Sequence, residues 1–179
     1  MTQVSTVDSP PPSRREVATT PLPRRFESVE RLEVELTRHL VRSRRQGDAM
    51  ALLWIEVAVL ASADAFEDVA QALTARLLHR VRKTDAVFQV GTAAFAVLLE
   101  TDKHGAGLVQ ARLIEQLRGP YGMEAGPVRV HVDIGLAIPS EAHAQGSSML
   151  QCAMDDVYAR RLQAPAVAGL IGAGAANDQ

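Results

Sequence analysis

The chain has 179 residues, 47% hydrophobic but only 4% aromatic, which suits one domain with a core of Leu, Val, Ala and Ile. A net charge of −2 argues against a general nucleic-acid binder, although residues 1–45 hold nine Arg against six acids. The single cysteine, Cys152, rules out an intramolecular disulfide, and no stretch reaches the ~20 apolar residues of a membrane span.

Residues 1–23 are rich in Pro, Ser and Thr, carry no hydrophobic period, and are expected to form a disordered tail. They also lack the apolar run of a signal peptide, so a soluble, cytoplasmic protein is expected. Ser28 reads as the N-cap of a first helix; Arg31 stands where a capping box needs Glu. Val29, Leu32, Leu36 and Leu40 form its apolar stripe, and Gln46-Gly47-Asp48 stops it. "AMALLWIEVAVL" is a continuous apolar run, the pattern of a strand buried on both faces. A second helix carries Phe66, Val69, Leu73, Leu77 and Val81 on one face and is expected to end in the basic turn Arg80, Arg82 and Lys83. Asp85 to Glu100 is a hairpin with Gly91-Thr92 as a two-residue II′ turn.

A third helix is expected over Gly105 to Arg118, with Leu108, Ala111, Leu113 and Leu117 as its apolar members, followed by a loop from Gly119 to Gly126. "VRVHVDIGLAI" then alternates cleanly, so Val128, Val130, Val132, Ile134, Leu136 and Ile138 share a face. Ser147 or Ser148 can cap a last helix carrying Leu150, Met154, Val157 and Tyr158, and Cys152 falls in its apolar pattern as an inert core thiol. Residues 163–179 read as a second, Ala/Gly-rich flexible tail. The order is helix, strand, helix, hairpin, helix, strand, helix: an α+β domain over residues 24–162, with helices packed on one sheet.

Few residues carry obvious chemistry. The five histidines are scattered without metal-ligand spacing, and no Gly-rich string has a phosphate-loop pattern. His131 and Asp133 lie two apart on a strand and share one face, which reads as a polar face before it reads as a catalytic pair. Trp54 reads as core filler. Phe88 and Phe95 are the hairpin's only aromatics, and the chain has no basic excess, against an RNA-binding sheet.

Several strings in this order resemble the GGDEF family, the diguanylate cyclase domain. "TPLPRRF" is similar to its opening T-G-L-P-N-R-R-x-F, and "ALLWIEV" stands where the family has a strand ending in D-x-D. "RKTDAVFQVGTAAFAVLL" resembles R-x-x-D-x-x-x-R-Y-G-G-D-E-F-x-x-L-L. "VHVDIGLA" resembles V-x-V-S-I-G-I-A, and "AMDDVYARR" resembles A-D-x-A-x-Y-x-A-K. The resemblance spans roughly Thr20 to Leu162 and implies a nucleotide-cyclase-like palm: a central, mostly antiparallel sheet with a β-hairpin, flanked by helices.

In the family, the hairpin and the D-x-D strand supply carboxylates that hold magnesium for phosphoryl transfer from GTP. Here Gly91, Thr92, Ala93, Ala94 and Phe95 stand for G-G-D-E-F, and both acids are methyl groups. The D-x-D positions fall on Trp54 and Glu56, the late-strand Ser on Asp133, the Asp of the A-D pair on Met154, and the late Lys on Arg161. The guanine-recognising segment is shortened to "IEVAVLASADAF", without Asn or His. Magnesium needs hard oxygen ligands, and phosphoryl transfer rests on metal ions and placed charges. The expectation is therefore a degenerate domain with no catalytic residue, no metal and no cofactor.

One family motif is kept. Arg82 and Asp85 match R-x-x-D six residues before Gly91, which in the family binds the product cyclic di-GMP, and Arg112 matches an Arg that the family often adds from the next helix. A guanidinium offers forked donors to a phosphate or a guanine edge, and a carboxylate can accept from guanine N–H groups. The plainer account of the same residues is a helix-terminal Arg and a turn Asp joined by an ion pair. The resemblance thus implies a non-catalytic effector that binds cyclic di-GMP at Arg82, Asp85 and Arg112 and signals to an unidentified protein partner. The alternative is a nucleotide-independent interaction module, compatible with a homodimer. Residual turnover through Glu56 or Asp133 ranks last.

Overall fold

The computed structural model describes residues 23–59, 66–123, 126–140 and 145–163. In chain order the elements are β1 (Arg24–Phe26), α1 (Val29–Gln46), β2 (Ala51–Val59), α2 (Phe66–Leu78), β3 (Ala86–Val90), β4 (Ala94–Leu99) and α3 (Lys103–Arg118). They continue with β5 (Tyr121–Met123), β6 (Gly126–Val128), β7 (Val130–Ala137) and α4 (Gly146–Gln163). Five strands form one sheet in the order β1-β3-β4-β2-β7, with β1 parallel to β3 and every other pair antiparallel. This is the expected mostly antiparallel α+β sheet.

Strand β2 has neighbours on both edges and helices over both faces, which is why its sequence lacks alternation. Leu53 and Ile55 join Val69, Leu73 and Leu77 of α2 and Leu113 and Leu117 of α3 in one apolar layer. Leu52 and Trp54 point the other way, into Leu32, Leu36 and Leu40 of α1 and Ala153 and Val157 of α4. Helix α1 begins after Ser28 and closes at Gly47, as its sequence predicts, although the Ser28 side chain makes no capping hydrogen bond.

Several elements depart from expectation. Strand β1 has too few apolar residues to show a period; its register with β3, Phe26 beside Val90, comes from a non-local pairing. The expected loop after α3 contains a small hairpin, β5 with β6. Helix α2 ends at Leu78, so the basic residue of its last turn is Arg76, and Arg80, Arg82 and Lys83 lie in the turn beyond. The main hairpin closes through three residues, Gly91 to Ala93, since Val90 pairs with Ala94. Gly91 does take the positive φ expected of it, 57°.

In α3 the buried positions are Ala106, Gln110, Leu113 and Leu117, while Leu108 is 62% exposed and Ala111 also faces out. The buried Gln110 amide is satisfied by donating to the Ile134 carbonyl at 2.8 Å, so a polar residue holds the inner stripe. Helix α4 starts at Gly146, ahead of both serines; its inner face is Met149, Leu150, Ala153 and Val157, and Tyr158 points out. Cys152 is half-buried against this layer.

The placing of α4 depends on Gly135 in β7. A Cβ there would stand 1.9 Å from the Ala153 carbonyl oxygen and 2.9 Å from the Val157 amide nitrogen. Only hydrogen at that position lets the helix lie so close to the strand. The expected tails, 1–23 and 163–179, lie outside the described residues except for Pro23 and for Gln163, which still belongs to α4. No helix among the described residues is long and apolar enough to cross a membrane.

Candidate functional site

Two places on the molecule carry the residues that the sequence singles out. The first is a cavity of about 390 Å³ where the turn after α2 meets the end of β4 and the start of α3. Arg82, Asp85 and Arg112, dispersed in sequence, line it together, with Arg80, Glu100 and Leu108 also on its wall. The Asp85 carboxylate organises the turn: Oδ2 accepts from the Arg82 backbone N–H at 2.8 Å and Oδ1 from the Glu100 N–H at 3.4 Å. The Asp85 N–H in turn donates to the Arg82 carbonyl at 3.1 Å. Asp85 is thus an Asx-type cap that ties the turn to the end of β4.

No side-chain ion pair joins Arg82 to Asp85. The Arg82 side chain is exposed, and none of the described residues pairs with its guanidinium. Arg112 Nη2 donates to the Arg80 carbonyl at 3.0 Å, a bond that fixes the side chain while leaving its other donors over the cavity. Arg80, Arg82 and Arg112 therefore line the cavity, with Arg112 anchored, together with the exposed Leu108. Such a surface can take an anionic group together with a flat apolar face.

The second place is the end of the sheet beside the hairpin loop. The loop residues Gly91 and Thr92 are exposed, Ala93 and Ala94 are half-buried, and Phe95 is 1% exposed in the α2/α3 layer. Ala94, Glu56 and Asp133 lie side by side on three neighbouring strands, so their side chains share one face. Trp54 lies two residues deeper, beside Ala96 and Gly135, and is core filler as expected; its indole Nε1 donates to Glu56 Oε1 at 2.9 Å.

Over that row lies Arg161, in the last turn of α4. Its Nε donates to Asp133 Oδ2 at 2.6 Å and its Nη2 to Glu56 Oε2 at 2.8 Å. His131 Nε2 stands 3.1 Å from the other Asp133 oxygen. Donation to Asp133, joined by the charges of Asp133 and Glu56, raises the Arg161 guanidinium above its ordinary pKa, so it is a permanent cation here. The magnesium that the resemblance implies is not matched by these residues: Ala94 offers a methyl group, and both neighbouring carboxylates are held by a guanidinium. The sequence shows the pieces of this cluster, since i,i+2 spacing puts His131 with Asp133 and Trp54 with Glu56. It does not show the register that brings the pieces together.

No protein-family model and no curated protein matches the chain. Solved structures do match. The chain is similar to the GGDEF domain of TpbB, also called YfiN, from Pseudomonas aeruginosa, with TM-score 0.63 at 22% identity over 82% of this chain and 88% of that one. It is also similar to the active GGEEF domain of a diguanylate cyclase from Vibrio cholerae, with TM-score 0.66 at 12% identity over 80% and 94%. A third similar structure is the coiled coil and GGDEF domain of DgcB from Caulobacter crescentus in complex with c-di-GMP, with TM-score 0.62 at 14% identity over 75% and 76%. The chain has the fold of the GGDEF, or diguanylate cyclase, domains, as its sequence motifs predict.

Proposed function

We propose that this GGDEF-fold domain is a non-catalytic regulatory module that binds cyclic di-GMP in the cavity of Arg82, Asp85 and Arg112 and relays its occupancy to a partner protein. The observation that carries the reading is the convergence of those three residues on one 390 Å³ cavity, with the Arg82 guanidinium exposed at its wall. Arg82 and Arg112 take phosphate or a guanine edge, and Leu108 gives a base an apolar surface. Asp85 shapes the turn that presents Arg82 and keeps lone pairs for a guanine N–H. The non-catalytic reading is supported by the hairpin end, where methyl groups and a carboxylate-bound arginine stand at the positions of the family's metal ligands. Among the similar folds, the DgcB structure was solved with c-di-GMP, which supports the ligand class.

Isothermal calorimetry of the chain with cyclic di-GMP tests this reading. Saturable heat is expected, lost in Arg82→Ala. Absence of heat at ligand concentrations of ~100 μM, where even weak specific complexes form, sinks it. A second reading, a nucleotide-independent interaction or dimerisation module, draws on the outward-facing Val34 and Val41 of α1 and Tyr158 and Leu162 of α4. Sedimentation of the free chain separates the two: self-association unchanged by cyclic di-GMP and by Arg82→Ala favours the second.

A further inference from the structure

The cluster over the hairpin end has a consequence separate from the cavity at Arg82. We infer that Arg161 is the resident cation of that cluster: the chain seats its own guanidinium between Glu56 and Asp133 and so closes the position to divalent ions.

Three observations carry this inference. Glu56 and Asp133 are adjacent in register and face the same way, so without a counter-ion two carboxylates would repel at the strand ends. Arg161 meets one oxygen of each, at 2.8 and 2.6 Å, with two different nitrogens of one planar group. The remaining oxygens are also engaged, Glu56 Oε1 by the Trp54 indole and Asp133 Oδ1 by His131. Three of the four carboxylate oxygens therefore accept hydrogen bonds within the chain, and the fourth lies 3.1 Å from His131 Nε2.

The helix holds the cation in place. Ala153 and Val157 press on Gly135, and Arg161 is one helical turn past Val157, while Asp133 is two residues before Gly135. One turn of helix advances about 5.4 Å and two residues of strand about 6.6 Å, so the two elements keep step. The guanidinium is thus pre-positioned by packing, and a bound metal would have to displace a tethered cation of high local concentration. It would also have to shed water, which magnesium does reluctantly, for only two carboxylates, because Ala94 contributes none.

The test uses Mn2+ alone, read as paramagnetic broadening of backbone amide signals in the full chain. In the wild type, the Glu56, Ala94 and Asp133 amides should stay as sharp as those of residues far from the hairpin. Arg161→Met keeps the aliphatic stem and removes the charge. It should bring selective broadening at these three amides, with Mn2+ affinity raised about tenfold or more over the wild type, as freed hard oxygen ligands allow. Adding Glu56→Gln to Arg161→Met should abolish that gain. Selective broadening of these amides in the wild type overturns the inference, and so does a folded Arg161→Met that ignores Mn2+. Should Arg161→Met fail to fold, the wild type still decides: a protected, slowly exchanging Arg161 Nε–H upholds the seated cation, and a rapidly exchanging one overturns it.

Discussion

The two polar regions of this molecule differ in how their charges are settled. At the hairpin end, the Glu56 and Asp133 carboxylates are held by Arg161, with the Trp54 indole on Glu56 and His131 beside Asp133. At the cavity beyond α2, Asp85 is spent on backbone N–H groups, Arg112 is partly spent on a carbonyl, and the Arg82 guanidinium has no partner among the described residues. An unspent, exposed cation beside a cavity can recognise something, whereas a closed network serves the fold. The difference separates the place proposed for a ligand from one whose charges are held within the fold.

The largest effects should come from the scaffold side. Phe95 ends the GTAAF string and packs in the α2/α3 layer with Ile55 beside it in register. Phe95→Ala should cost ~3–5 kcal/mol in urea unfolding, while Thr92→Ala at the exposed loop should stay within ~0.5 kcal/mol. Equal losses at both would mean that the string acts as a unit and not through its one core residue. Gly135→Ala comes next. Its methyl group would collide with the Ala153 carbonyl, so the helix must shift, at an expected ~1–3 kcal/mol. The same shift should loosen Arg161 from Asp133, visible as faster exchange of its Nε–H.

On the ligand side the comparison predicts an inversion between neighbours in one motif. Asp85→Ala strips acceptors from the Arg82 and Glu100 amides and should lower stability by ~1 kcal/mol, in the range of a lost helix cap. Arg82→Ala, which removes no hydrogen bond or ion pair among the described residues, should lie within ~0.5 kcal/mol of the wild type. Thermal melts of the two variants sharpen the assignment: a large loss for Arg82→Ala would place that side chain in the scaffold too.

How much of this was legible in the sequence depends on how local the determining contacts are. Helix α1 was legible because Leu32, Leu36 and Leu40 recur at one helical turn, and β2 because a strand covered on both faces has no polar alternation. Strand β1 was not, since Arg24 and Arg25 show no apolar signal and the pairing with β3 is supplied from more than sixty residues away. Leu108 is expected inside because apolarity stands in for burial, whereas the inner place goes to Gln110, admitted by the Ile134 carbonyl. Of the candidate residues, Arg82 and Asp85 sit in one turn, and the Asp85 bonds run to backbone rather than to the Arg82 side chain. The Arg161 cluster needed the β2–β7 register and the tight approach at Gly135, neither of which any short window of sequence carries.

The smallest predicted effect concerns acid, and it tests whether the scaffold side is as self-sufficient elsewhere. His39 of α1 faces Glu35, Arg24 and Arg42, and its ring meets the edge of Phe88. Burial is the leading influence and pushes its pKa down from the ordinary value; Glu35 opposes this, and the arginines add to it. The folded state then prefers the neutral ring, so the contribution of His39 is complete above its unfolded pKa of ~6.5 and is lost as the pH falls through the lowered folded value. For Glu35, burial works to raise the carboxyl, but hydrogen bonds and charge from Arg24, then Arg38, outweigh it and hold the pKa low. Its contribution is present above ~4.3 and fades as the pH drops further. Melting temperature followed by circular dichroism should therefore fall in two steps on acidification, the first beginning near pH ~6.5 and the second below ~4.3. His39→Gln should remove the first step and keep the second. A wild-type melting temperature that rises between neutral pH and the first step would reverse the sign assigned to His39, and with it the view that the α1 side of the sheet is closed against an extra proton.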